Sequence, residues 1–94
     1  MILKGQVTKI SFLNPHVMLT IETAKSGTWQ AEWTNVDSLA RQRVRKETVQ
    51  TGDFLEIEGS PARNPESRVV SALTEIRRPA DGWRRVSPDS RTIE

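Results

Sequence analysis

The chain has no cysteine, no tyrosine and a single histidine, and its only aromatic residues are Phe12, Phe54, Trp29, Trp33 and Trp83. Without thiols there can be neither disulfides nor thiolate metal ligands. With one imidazole and no G-x-S-x-G or phosphate-binding glycine loop, the usual nucleophilic and phosphoryl-transfer constellations have no starting point. No enzymatic activity and no cofactor is expected. Glu22 and Glu32 could face each other across a hairpin, but exposed carboxylates so placed are ordinarily solvated.

Long apolar runs are also missing, so no segment reads as a membrane span. The opening MILKGQVTKI lacks the apolar core and small-residue cleavage site of a signal peptide; an exported protein without its leader would read the same. At 94 residues the chain supports one hydrophobic core. Apolar residues at 35% and charged ones at 28% are lean for a globular domain, yet well short of a disordered composition.

The net charge of +2 suggests a polyanion as partner, but its distribution weakens that reading. Residues 1–76 carry nine Lys and Arg against nine Asp and Glu. The excess lies in the last 18 residues, where Arg77, Arg78, Arg84, Arg85 and Arg91 outnumber Asp81, Asp89 and Glu94.

Periodicity organises the rest. In HVMLTIETA, Val17, Leu19 and Ile21 alternate with His16, Met18, Thr20 and Glu22, the signature of a half-buried strand. After the polar turn Lys25-Ser26-Gly27, Trp29, Ala31 and Trp33 alternate with Gln30, Glu32 and Thr34, which completes a hairpin. The first strand, Leu3 to Leu13, changes apolar parity between Val7 and the pair Ile10 and Phe12, so a bulge is expected near Thr8 and Lys9. Asn14-Pro15 turns the chain between these strands.

From Val36 to Val44 the period becomes helical, with Thr34 or Asn35 as cap, Asp37 in the first turn and Arg43, Arg45 and Lys46 near the C-terminal end. A fourth strand carries Leu55 and Ile57, and a fifth, from about Arg68 to Ile76, has apolar residues on both faces and is expected to be central. Residues 79–94, with three turn signals and no period, read as a partly disordered C-terminal tail, with Trp83 as the residue able to pin it.

Strand, strand, strand, helix, strand, strand is the order of a small five-stranded barrel of the oligonucleotide/oligosaccharide-binding (OB) type, here residues 1–78, with one short helix between strands 3 and 4. A small α+β sheet of other topology fits the same order. GQVTKISFLNPHVMLTIE, the W-x-x-x-W strand and TGDFLEIEGSPA resemble an uncharacterised bacterial family, domain of unknown function 6152, over about residues 4–82. That resemblance implies an exported, periplasmic protein and supplies no activity.

Three functional classes follow. A nucleic-acid-binding barrel uses the outer face of strands 2 and 3, furnished with aromatics and cations. Here that face reads His16, Met18, Thr20, Glu22, Gln30, Glu32 and Thr34, so nucleic acid is disfavoured. His16 and Met18 offer an imidazole and a thioether, donors suited to copper or zinc, with Glu22 as a possible third. Alternatively His16 bonds locally at its turn. The third class is a non-enzymatic binding or assembly module for a small ligand or an envelope protein. In it Arg41, Arg45 and Lys46, joined by Arg77 and Arg78, form a cationic edge for a carboxylate or phosphate.

Overall fold

The computed structural model describes residues 1–87. Six strands form one sheet: β1 (Ile2–Ser11), β2 (Met18–Thr23), β3 (Gly27–Glu32), β4 (Phe54–Pro61), β5 (Val69–Arg78) and β6 (Trp83–Val86). The helix α1 (Val36–Arg41) lies between β3 and β4, and a 3-10 turn, Pro65–Ser67, precedes β5. The sheet order is β3-β2-β1-β4-β5-β6, and a parallel pairing of β3 with β5 at Gln30–Val69 and Ala31–Val70 closes the first five strands into a barrel. Closure removes the free edges of those five strands, and β6, which pairs with β5 alone, lies outside the closed circuit.

Alternation decides which residues enter the barrel. Leu3 and Val7 of β1, Leu19 and Ile21 of β2, Ala31 of β3, Leu55 and Ile57 of β4, and Val70, Leu73 and Ile76 of β5 are buried together, with Leu39, Val44 and Val49 from the helical connection. The expected bulge is at Thr8: Val7 pairs with Ile21 and Lys9 with Thr20, leaving Thr8 without an opposite residue. Gly5 is required by proximity. A Cβ there would lie 2.2 Å from the carbonyl oxygen of Glu22 and 2.9 Å from Ile21 Cγ2.

β5 is central, bonded to β3, β4 and β6. Its two-faced apolar pattern has a local cause: between Ser71 and Glu75 the register slips by two residues, with Ala72 left-handed at φ 49, and across this irregularity Val70, Leu73 and Ile76 are all buried.

Two expectations are corrected. The helix ends at Arg41, three residues short of Val44. Arg43 adopts φ 61, its amide donates to Ala40 O and the Val44 amide donates to Leu39 O, the bonding of a Schellman stop with Leu39 and Val44 in the associated apolar contact. At the other end Asn35 caps the helix by accepting from the Ser38 amide at 2.8 Å. The second correction concerns the segment read as a tail from residue 79. Trp83–Val86 forms β6 against β5, with Trp83 on the core and the guanidinium groups of Arg78 and Arg85 over its ring at 5.1 and 5.2 Å. The remainder of that expected tail, residues 88–94, lies outside the described residues.

Candidate functional site

The hairpin register fixes what the outer face of β2 and β3 can do. Met18 stands opposite Glu32, Thr20 opposite Gln30, and Glu22 opposite Thr28. Glu22 and Glu32 are thus at opposite ends of the hairpin and do not converge. Glu22 accepts a hydrogen bond from the Thr28 hydroxyl. Trp33 is buried at 9% exposure, and Trp29 is half-buried beneath Arg68, whose guanidinium sits 5.5 Å from the ring centre. Neither indole presents a free stacking surface on the outer face. β1 adds two cations beside it, Lys9, which pairs with Thr20, and Lys4 near Glu22.

His16 precedes β2, and its Nδ1 lies 3.3 Å from Glu32 Oε2. Its partner is therefore neither Glu22 nor a backbone group of its own turn. The two side chains, 52% and 38% exposed, edge a hollow of about 210 Å³ with Trp33, Thr34 and Gln42 on its wall. Met18 does not line that hollow. Among the described residues no group of three His, Asp or Glu side chains is placed to hold a metal ion. Asn14 of the same turn does structural work: its Oδ1 accepts from the Val36 amide at 2.9 Å and ties the β1–β2 loop to the start of α1.

The cationic edge divides in two. Arg77 and Arg78 are committed to carboxylates. Arg77 bonds Glu56 at 3.1 Å and Glu75 at 3.3 Å, and those hydrogen bonds raise its pKa further above the ordinary arginine value. Arg78 bonds Asp53 at 2.9 Å and Asp81 at 3.0 Å and donates to Thr48 O; the Asp81 bond is the main cause of its raised pKa. Arg84 is held by Glu75. By contrast Arg41, Arg43, Arg45 and Lys46 are exposed, and among the described residues none has an acidic side chain within ion-pair distance. Arg85 comes to the same corner by donating to Gln42 O at 2.9 Å, where the helix presents its negative end.

Beside that corner, a cleft of about 630 Å³ runs between the end of β1 and the connection from α1 to β4. Lys9 and Lys46 edge it, and Ile10, Phe12, Leu13 and Val49 supply its apolar lining. No carboxylate lines it; Glu47 and Asp53 belong to the neighbouring hollow around Arg78. Leu13, at 67%, is an exposed large apolar side chain at the loop tip. The apolar run at Ile10, Phe12 and Leu13 signals this feature in the sequence, but its pairing with Lys46 arises only from folding.

The structure thus defines a closed five-stranded β-barrel with one short helix, an extra strand, and a cationic corner beside an apolar cleft. The chain belongs to the family of unknown function DUF6152, whose model matches residues 1–71, from β1 to the start of β5. No curated protein and no solved structure matches it.

Proposed function

We propose that this protein is a non-enzymatic binding or assembly module, exported to the periplasm, that takes an anionic group of a small ligand or envelope protein on the segment Arg41 to Lys46. One observation carries the reading: Arg41, Arg43, Arg45 and Lys46 are exposed together without acidic partners, while Arg77, Arg78 and Arg84 are neutralised. Unpaired cations clustered on one corner raise the local potential and favour carboxylate or phosphate. Export is supported by the family resemblance alone. The barrel circuit β1-β2-β3-β5-β4, with its helix after β3, agrees with an OB-type layout, a scaffold used mainly for binding.

Nucleic acid is the weaker alternative because the outer face of β2 and β3 combines Glu22 and Glu32 with no stacking ring. The test is a melting-temperature series with inorganic polyphosphate on wild type and on the double variant Arg41→Glu, Arg45→Glu. A rise in wild type that the variant loses is expected; an equal rise in both would refute the assignment. A gel shift with mixed oligonucleotides that is tight and weakens steeply with salt would put nucleic acid first. Cell fractionation of the native gene product tests export.

A further inference from the structure

We infer that the cleft between the end of β1 and the α1–β4 connection docks on an anionic phospholipid bilayer, with Leu13 entering the interface and Lys9 and Lys46 meeting lipid phosphates. This rests on the reading that the cationic corner favours anionic groups, and it extends that reading to the adjoining cleft with a lipid surface as its occupant.

Three observations meet here. Leu13 is 67% exposed at a loop tip, where a leucine gains nothing from water, and Phe12 behind it is only half-buried. The same cleft contains two lysines and no carboxylate. Its surroundings add the exposed cations Arg45 and Arg43, while Glu47, next to Lys46, lines the neighbouring hollow around Arg78. An apolar tip ringed by cations matches the layered chemistry of a bilayer surface, hydrocarbon below and phosphate above. A free phosphate or sulfate would use the cations and leave Leu13 unexplained, whereas an uncharged apolar partner would leave the lysines unexplained.

The loop is also held as a platform. Asn14 Oδ1 fastens it to the α1 amide of Val36, and Ile10 and Phe12 pack on the core. Another cleft, of about 730 Å³ along Met1, Ile2 and Phe54, has comparable apolar exposure and also two lysines, Lys4 and Lys25, but there Glu22 offsets part of their charge, whereas no carboxylate lines the cleft at Leu13. Docking of this kind is peripheral and needs no spanning helix, and among the described residues no helix is long and apolar enough to cross a membrane.

The experiment is co-sedimentation of the full chain with vesicles of phosphatidylcholine, with and without phosphatidylglycerol. Partition should require phosphatidylglycerol and weaken as salt rises. Lys9→Gln and Lys46→Gln should each lower it about fivefold, the value of one cation near an anionic surface. Leu13→Ser should lower it about tenfold, as loss of a buried leucine side chain predicts. All three side chains are exposed, so unchanged melting temperatures will confirm that the variants fold. Absence of partition, equal partition to phosphatidylcholine alone, or indifference to Leu13→Ser overturns the inference. So does a melting-temperature rise with dispersed short-chain phosphatidylglycerol that is not accompanied by vesicle binding, since that marks a single-lipid pocket. If polyphosphate still acts through Arg41 and Arg45 while vesicles do not bind, the anionic-ligand reading stands and the bilayer does not.

Discussion

Arg43→Gly should make the protein more stable, although it removes a side chain and a charge. Arg43 occupies the left-handed position that ends α1, at φ 61, where its amide bonds Ala40 O at 3.0 Å and sets the Val44 amide on Leu39 O at 2.8 Å. A residue with a Cβ held there is strained by about 1–2 kcal/mol. Glycine relieves that strain but makes the unfolded chain more flexible, which costs about 0.5–1 kcal/mol. The net gain is about 0.5–1 kcal/mol, or roughly 3–6 °C in melting temperature for a chain this short. No ion pair is lost, because Arg43 has none among the described residues. Relief of repulsion among Arg41, Arg43, Arg45 and Lys46 predicts the same sign, so Arg43→Ala is the control. It removes the charge and keeps the backbone strain. Urea denaturation at matched salt should show a raised midpoint for Arg43→Gly and an unchanged one for Arg43→Ala. Equal gains in the two variants would refute the backbone account, as would no gain for Arg43→Gly.

Gly5→Ala should destabilise by about 3 kcal/mol, the upper end for overpacking, because the new Cβ meets the Glu22 backbone at 2.2 Å. Gly52→Ala, at φ 94 in open space, should lose only about 1 kcal/mol, and equal urea midpoints for the two would contradict this reasoning. Asp81 has its pKa lowered by hydrogen bonds from Arg78 and then from the Trp83 amide. Its contribution is therefore complete above the ordinary aspartate pKa, about 3.9, and is lost as pH falls through the lower folded value. Melting temperature below about pH 4 should accordingly fall less steeply in Asp81→Asn than in wild type. Copper or zinc titration should leave the melting temperature unchanged, since His16 has a single carboxylate partner, Glu32, and Met18 lies outside their hollow. A rise abolished by His16→Ala would reverse that conclusion.

What could be read from the sequence was whatever depends on local alternation. The β2–β3 hairpin follows from period two, and the bulge at Thr8 from the parity change between Val7 and Ile10. What failed depended on backbone exceptions or distant partners. The helical pattern runs on to Val44 because no glycine marks the stop; arginine occupies the left-handed position instead. β5 reads as two-faced because its register slips by two residues between Ser71 and Glu75, and no glycine marks the left-handed turn at Ala72. β6 has too few residues to show a period, and its extended state is set by pairing with β5 and by Arg78 and Arg85 over Trp83. At the candidate site Arg41 and Arg45 were legible as exposed cations. The partner of His16 was not, because the choice of Glu32 over Glu22 depends on the register of the hairpin.

Charge shows most clearly why composition misplaces a binding surface. By sequence the body is neutral and the cationic excess belongs to the chain's end, beginning at Arg77 and Arg78. In the fold Arg77, Arg78 and Arg84 reach Glu56, Glu75, Asp53 and Asp81, carboxylates drawn largely from the nominally neutral body. Each such pairing removes an acid from the pool that could have balanced Arg41, Arg43, Arg45 and Lys46. The C-terminal arginines therefore add no net charge to the corner: Glu56 on β4, Glu75 on β5 and the flanking Asp53 and Asp81 balance them, while Arg41, Arg43, Arg45 and Lys46 stay without ion pairs among the described residues. The corner should thus keep its own charge when those pairs are broken. Glu56→Gln or Asp53→Asn would free arginine charge near β5 and leave the Arg41–Lys46 cluster in place, so polyphosphate binding should be maintained or strengthened.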